Sequence, residues 1–429
     1  MTAETPRTTP TPSVVRNPDF RRLWAAETIS QFGTQISLLA LPIIAVVLLR
    51  ATPLEVALLG TIEFVPFMLF SLPAGVGVDR LRRRPILIIG DIGRGLALAT
   101  IPVAYLVDAL TIWQLYVVGF IVGTLTVFFD VAYQSYLPSL VERDQLIDGN
   151  GKLEVSRTIA QTAGPAIGGG LIGVLTAPIA IVADAISYVL SAALVFLIRR
   201  PEPVPDAHID EHGRPREGLR REVGAGLRYV LGNEYLRGIA AATGTSNLFS
   251  NIAMAVLIVY AVRDLGMDAS QIGLVFGLGN LGALAGALSA DRLRRRFGLG
   301  RTIVASLFLG APGLLLIPLA PRASPIPLLV ASGLLIGFSN VVYNINQVSF
   351  RQAITPAAMQ GRMNATMRFI VWGTIPVGSI LGGAIGTAIS VPAAIWVGAI
   401  GSFLAVVPLV ITPVRTLAAM PGPETGEAL

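Results

Sequence analysis

Six ionisable side chains lie inside stretches of sequence that are otherwise apolar. Five are acids and one is an arginine: Glu27, Glu63, Asp91, Arg94, Asp130 and Asp184. Charges at such positions are costly in lipid and usually belong to ion or proton pathways. The chain has no cysteine, and its two histidines, His208 and His212, lie in a polar stretch. A proton carried through the apolar segments would therefore have to bind a carboxylate.

Glu63 is the strongest candidate for that carboxylate. It lies roughly 13 Å from one end of its predicted helix, just before Pro66, and no cation is near it in sequence. Asp184 comes next, roughly 9 Å into its helix. Asp91 and Arg94 share a helix face and are expected to pair. For Glu27 and Asp130, a structural role remains as plausible as a role in coupling.

The elements that must position these residues are membrane-spanning helices. The chain is 53% hydrophobic and only 14% charged, and a span needs about 20 apolar residues. Such runs predict twelve helices, because a helix satisfies its own backbone in lipid. The predicted spans are 23-49, 54-78, 85-107, 112-136, 155-176, 178-198, 237-262, 270-290, 301-320, 326-348, 365-388 and 391-412.

The distribution of positive charge predicts the topology. With the N-terminus inside, 28 of the 32 Lys and Arg residues fall on the cytoplasmic side, as the positive-inside rule requires. We therefore expect a multi-pass protein of the cell membrane with both termini cytoplasmic. The arginines form no extended basic face, so we expect no nucleic-acid partner.

An identical hexapeptide, Asp-Arg-Leu-Arg-Arg-Arg, occurs at 79-84 and at 291-296, each time after the second helix of a half. Matching loops predict two homologous six-helix halves, as in transporters built from parallel repeats. The predicted parts are a polar N-terminus (1-22), an N-terminal bundle (23-198), a linker with an interfacial helix (199-236), a C-terminal bundle (237-412) and a tail (413-429).

Every third predicted helix carries a polar stripe at helical spacing. Such stripes either line a shared aqueous cavity or form hydrogen bonds between helices. The regular spacing favours a cavity, whose candidate lining residues are Gln31, Gln35, Tyr133, Asn247, Asn251, Asn340, Tyr343 and Asn344.

Two motifs resemble those of the major facilitator superfamily. Gly75, Asp79, Arg80, Arg83 and Arg84 follow the spacing of its motif A. The fifth predicted helix contains Gly164, Pro165, Gly168 and Gly169, which resemble motif C of the drug-exporting antiporters. Longer stretches look like the bacterial twelve-helix branch with macrolide-type and enterobactin-type exporters. The sequence departs from the family at Arg82, at Ala160, and at Gly119, which stands about where motif B has its arginine.

The resemblance implies an all-α membrane protein with two pseudo-symmetric six-helix bundles that rock about a central cavity. It also implies a conformational latch formed by Gly75, Asp79, Arg80 and Arg83, with Asp291 and Arg292 as a weaker second copy. We expect proton-coupled export of neutral or cationic amphiphiles, because the apolar core holds only one basic residue, Arg94. A dedicated siderophore or natural-product exporter and a non-transporting receptor or scaffold are the alternatives. Neither a cofactor nor an enzymatic activity is expected.

Overall fold

The computed structural model describes residues 13-78, 81-142, 145-202, 219-356 and 359-417, and within these ranges it is helical without a strand. The two histidines, Asp79 and Arg80 lie outside them. The first group of helices comprises α1 (Pro18–Ile43), α2 (Pro53–Val78), α3 (Arg83–Leu106), α4 (Ile112–Leu140), α5 (Leu146–Leu175) and α6 (Ala177–Phe196).

After the linker, α7 (Leu219–Gly232) precedes the second group of helices. That group comprises α8 (Glu234–Met254), α9 (Leu257–Val259), α10 (Ala269–Phe297), α11 (Leu299–Leu315), α12 (Ile326–Ile354), α13 (Gln360–Ala388), α14 (Val391–Ser402) and α15 (Val407–Ile411).

Eleven helices in the described ranges are long and apolar enough to cross a membrane. The predicted ninth span corresponds to α11, which has 17 residues and is shorter than the others. The observed helices follow the predicted spans closely, with two extensions: α5 begins at Leu146, and α10 continues to Phe297 through the second hexapeptide. Both extensions are polar, so hydropathy alone could not find them.

Local signals in the sequence set several helix starts. The Asn17 side chain accepts hydrogen bonds from the first backbone amides of α1, and Pro18 occupies the first turn. Asn233 caps α8 in the same way. These side chains satisfy amides that have no partner within the helix.

The helices pack mainly within their own group. In the first group, α1 packs against α5 and α6, α2 against α4, and α3 against α4 and α6; in the second, α8 packs against α13 and α14, and α12 against α10 and α11. Two pairs join the groups: α5 packs against α10, and α2 against α13.

Buried apolar side chains form three clusters. One cluster joins both groups at the end where α1 meets α2; it includes Ile44 and Ile101 from the first group and Val256 and Ile317 from the second. We call this the closed end. At the opposite end each group has a cluster of its own, one around Phe20 and one around Phe350 and neighbouring side chains. The two groups therefore share a core at the closed end only.

Candidate functional site

A cavity of about 350 Å³ lies among the helices of the first group. Residues from α1, α2, α3, α4 and α6 line it, and four of its lining side chains are acids: Glu27, Glu63, Asp130 and Asp184. Arg94 is the single basic side chain on its wall. The structure therefore brings together acids that are up to 157 positions apart in the sequence, from Glu27 to Asp184.

Arg94 occupies the centre of the charged cluster. Its Nη2 donates to Asp91 Oδ1 at 2.5 Å, which confirms the predicted pairing. The guanidinium also lies 4.1 Å from the ring centroid of Phe129 and 4.3 Å from that of Tyr188. Asp91 is fully buried and Arg94 is 4% exposed. Two aromatic faces and one carboxylate thus hold the only cation of this site among the described residues.

Three of the other acids have few or no basic partners. Asp184 is 1% exposed and accepts hydrogen bonds from the hydroxyls of Ser37 and Ser187. Glu27 accepts from Gln31 Nε2 at 2.7 Å, while its second carboxylate oxygen is buried and has no hydrogen-bond partner among the described residues. Both acids therefore rely on neutral donors, and neither forms an ion pair within the described residues.

Glu63 has no hydrogen bond or ion pair within the described residues. Its side chain lies directly against α4, where a Cβ added at Gly119 would be 2.9 Å from Glu63 Cγ. Gly123, one turn further, approaches the backbone carbonyl of Glu63 more closely still. Gly119 stands about where motif B would have its arginine, so the glycine leaves room for the Glu63 side chain beside α4.

Not all of the predicted polar stripes line this cavity. Gln31 lines it, whereas Tyr133 stacks on Phe129 and its buried hydroxyl has no hydrogen-bond partner in the part of the chain that the structure describes. Gln35 instead packs against Gly164 of α5. The Tyr343 side chain is 5% exposed within an apolar cluster, and its hydroxyl pairs with that of Thr243 at 2.7 Å.

The asparagines of the second group differ in their exposure. Asn247 Nδ2 donates to the Val371 carbonyl of α13 at 3.1 Å, and Asn251 donates to the Asn247 carbonyl. These bonds match the alternative of hydrogen bonding within the bundle. Asn340 and Asn344 of α12 are exposed, and Asn344 accepts from Gln347.

The predicted latch is only partly within the described ranges. Gly75 lies in α2, whereas Asp79 and Arg80 are outside. Arg83 pairs with Glu202 at 3.5 Å, a partner that the sequence did not suggest. In the second copy, Asp291 pairs with Arg294 at 2.6 Å and Arg295 at 2.8 Å. Arg292 makes no ion pair with a described residue.

The motif C glycines bring α5 close to two helices. Gly164 and Gly168 face Gln35 and Ile36 of α1, and a Cβ at Gly169 would overlap the backbone of α10 at Ala269 and Gly273. In α10, the Gly-x-x-x-Gly pair Gly273/Gly277 also approaches α5 of the other group. The pairs Gly282/Gly286 and Gly378/Gly382 approach helices of their own group.

Sequence reasoning missed a repeated structure at the closed end. The residues Ile44–Leu48 and Tyr260–Asp264 form one π-helical turn each, and each turn is followed by a residue with positive φ: Arg50 (φ 50°) and Gly266 (φ 68°). A capping pair then starts the next helix, Thr52 with Glu55 and Asp268 with Gln271. The spacing Thr-x-x-Glu and Asp-x-x-Gln was the available signal.

Arg263, in the second of these turns, crosses between the groups. Its Nη2 donates to the backbone carbonyls of Val46 at 3.2 Å and Ala51 at 2.7 Å. Close by, the Leu54 amide donates to Thr387 Oγ1 at 3.0 Å. Between described residues, no hydrogen bond joins the two groups at the opposite end.

A bundle of apolar helices in two groups, with a polar cavity inside and one closed end, is the architecture of a secondary transporter. Solved structures share this fold. A bacterial homologue of the iron transporter ferroportin in an inward-facing state matches with a TM-score of 0.75 at 16% identity, over 93% of this chain and 98% of that one. The nucleoside transporter NupG (D323A mutant) matches with a TM-score of 0.72 at 13% identity, over 91% of this chain and 99% of that one.

The family model described as "Transmembrane secretion effector" matches residues 9–423. The chain therefore belongs to this family, within the major facilitator superfamily, as the motifs indicated. The enterobactin exporter EntS of Escherichia coli O127:H6 (strain E2348/69) is 27% identical over 357 residues, which cover 81% of this chain and 80% of that protein. EntS of Citrobacter koseri is 26% identical over 359 residues with the same coverage. The protein is thus a membrane transporter of the major facilitator type.

Proposed function

We propose that this transporter exports small neutral or cationic amphiphiles across the cell membrane in exchange for protons. The observation that carries the proposal is the imbalance of charge around the cavity. Its wall carries one arginine, Arg94, and four acids: Glu27, Glu63, Asp130 and Asp184. The carboxylate that pairs with Arg94 belongs to a fifth acid, Asp91. One guanidinium cannot neutralise five carboxylates, so most of them must bind protons or a cation to remain away from water.

Glu63 is the proposed coupling acid. It has no fixed partner among the described residues, and it lies on α2, which packs against α13 of the other group. Movement of α2 relative to α13 would change the access of water to this side chain. A change in access is what allows one carboxylate to take up a proton on one side and to release it on the other. Asp184 is the second candidate, while Asp91, Arg94, Asp130 and Glu27 complete the network.

The proposed topology has twelve spans, with α11 as the ninth, and cytoplasmic termini. It makes the closed end the outer face and leaves the arginine-rich hexapeptides inside. The separate apolar clusters at the opposite end support an inward-facing conformation in which the cavity is reached from the cytoplasm. Rocking of the bundles 23-198 and 237-412 would then open the outer face, with Asp79 as the proposed latch residue.

A dedicated exporter of one siderophore or natural product is the second candidate. The observation that favours it is the sequence similarity to the two EntS proteins, which are enterobactin exporters. The acidic wall of the cavity favours neutral or cationic cargo instead.

The experiment that tests the proposal measures accumulation of amphiphilic dyes and antibiotics in pump-deficient bacteria that express the chain. We expect lower accumulation with the wild-type protein, and loss of this effect with an uncoupler or with Glu63→Gln. Glu55→Gln is the matched control, since Glu55 lies on the same helix but caps its start. If the accumulation of every compound stays the same although the protein is in the membrane, the proposal of a broad substrate range is wrong. Metabolite profiling would then test the second candidate.

A further inference from the structure

A second cavity, of about 490 Å³, lies at the end of the first group opposite to the closed end. It is formed where α3 begins and α6 ends. Among the described residues, four arginines line it, Arg82, Arg84, Arg199 and Arg200, together with one acid, Glu202. This cavity is separate from the one that Glu63 lines, and it does not lie between the two groups.

Glu202 does not neutralise these four arginines. Its carboxylate caps the start of α3 by accepting hydrogen bonds from the Arg83 amide at 2.7 Å and the Arg84 amide at 3.1 Å. It also pairs with the Arg83 side chain, and only 4% of its own side chain is exposed. The charge of Glu202 is therefore taken up by Arg83 and by the helix start, and the cavity keeps a large excess of positive charge.

Two of the arginines are fixed by backbone carbonyls. Arg84 donates to the carbonyls of Val195 and Phe196 at the end of α6, and Arg200 donates to the Leu140 carbonyl. The other two, Arg82 and Arg199, are exposed, and their side chains have no hydrogen bond or ion pair with a described residue. The cavity thus combines positioned and unpaired guanidinium groups, which bind phosphate oxygens well.

Apolar side chains continue from this basic cavity along the outside of the bundle. Ile89 is 65% exposed and Phe196 is 66% exposed, although both belong to helices that are apolar enough to span a membrane. Beside them, Leu197 is 53% exposed. A ligand that fits both parts needs a negative head and an apolar tail, and the bilayer itself supplies such molecules at this depth.

We propose that this cavity binds the headgroup of an anionic phospholipid, with the acyl chains against Ile89 and Phe196. On the proposed topology, the site faces the cytoplasmic leaflet. The phosphate would accept hydrogen bonds from Arg82 and Arg199, which have no other described partner. The lipid would thereby hold together the start of α3 and the end of α6.

The test is lipid binding to the purified full-length protein in mild detergent, measured by native mass spectrometry. Dioleoylphosphatidylglycerol and dioleoylphosphatidylcholine are titrated separately. The test variant is Arg82→Gln/Arg199→Gln. The matched control is Arg292→Gln/Arg296→Gln, which removes the same charge from the second hexapeptide, at the end of α10. Thermal unfolding without added lipid reports whether the variants fold.

We expect the wild-type protein and the control to bind phosphatidylglycerol more tightly than phosphatidylcholine. One arginine near the headgroup contributes about fivefold in affinity, so the test variant should lose roughly 25-fold for phosphatidylglycerol and little for phosphatidylcholine. Equal losses in test and control variants, or no preference of the wild type for phosphatidylglycerol, would overturn the proposal. Displacement of the lipid by inorganic phosphate would instead identify a site for a soluble anion. None of these readouts requires transport, so failure here leaves the exporter proposal untouched.

Discussion

Arg263 offers the sharpest test of how the closed end is held. Its guanidinium donates two hydrogen bonds to carbonyls of the first group, at 3.2 Å to Val46 and at 2.7 Å to Ala51. Both bonds join groups that must separate for the outer face to open. Arg263→Gln shortens the side chain and removes the charge, so both bonds are lost.

The expected size of the effect follows from the exposure of the site. A hydrogen bond from a charged donor contributes about 1.5–3 kcal/mol. Because Arg263 is exposed and one nitrogen makes both bonds, we expect about 1–2 kcal/mol in total. Such a loss shifts the ratio of outward-open to inward-open molecules by a factor of roughly 5 to 30. The hydrophobic cluster at the closed end remains, so the protein still folds.

The assay is a distance measurement between spin labels on the outer face. The chain has no native cysteine, so Ala109→Cys and Ala323→Cys introduce the only labelling sites, both exposed and on different groups. In Arg263→Gln the long-distance population should grow relative to the same labels on the unmodified chain. Arg322→Gln, which removes another exposed outer arginine, should leave the distribution unchanged. Equal distance distributions for Arg263→Gln and the control would refute the prediction that Arg263 holds the closed end together.

Two further substitutions test other parts of the account. Arg94→Gln leaves the fully buried Asp91 without its cation and should destabilise the protein by about 3–5 kcal/mol. The double variant Asp91→Asn/Arg94→Gln should recover much of that loss in thermal unfolding. Strictly additive effects of the two substitutions would contradict the pairing. Gly383→Leu should hold the closed end apart, because a Cβ at this position would lie 2.6 Å from Ala57 Cβ and 2.9 Å from Leu54 Cα. The substitution should destabilise the inward-facing state by about 1–3 kcal/mol, which would increase the long-distance population of the spin labels. Gly361→Leu is the control on the same helix and should have no effect, because a Cβ at Gly361 would lie in open space.

Hydropathy predicted the helices well because membrane spans need long apolar runs, and nearly every run became a helix. The charged residues inside those runs were equally visible, and their convergence on one cavity follows from the packing of α1, α2, α3, α4 and α6. The pairing of Asp91 with Arg94 was predictable because it is local, one turn along one helix.

Contacts between distant segments could not be predicted in the same way. Nothing in the sequence near Tyr343 indicates that its hydroxyl meets that of Thr243, which is 100 positions away. Likewise, Glu202 follows the sixth helix, and only the fold brings it to the start of the third. The two acceptors of Arg263 are backbone carbonyls, which leave no trace in the pattern of side chains.

Coupling of uphill export to protons through Glu63 can be measured on the isolated transporter. The most direct measurement uses proteoliposomes with the purified protein, an imposed proton gradient, an amphiphilic cation and an internal pH dye. The account predicts that the wild-type protein concentrates the cation against its gradient while protons move in the opposite direction, and that Glu63→Gln loses both fluxes but still binds the cation. A Glu63→Gln protein that still drives uphill transport, or wild-type transport without a proton flux, would contradict it.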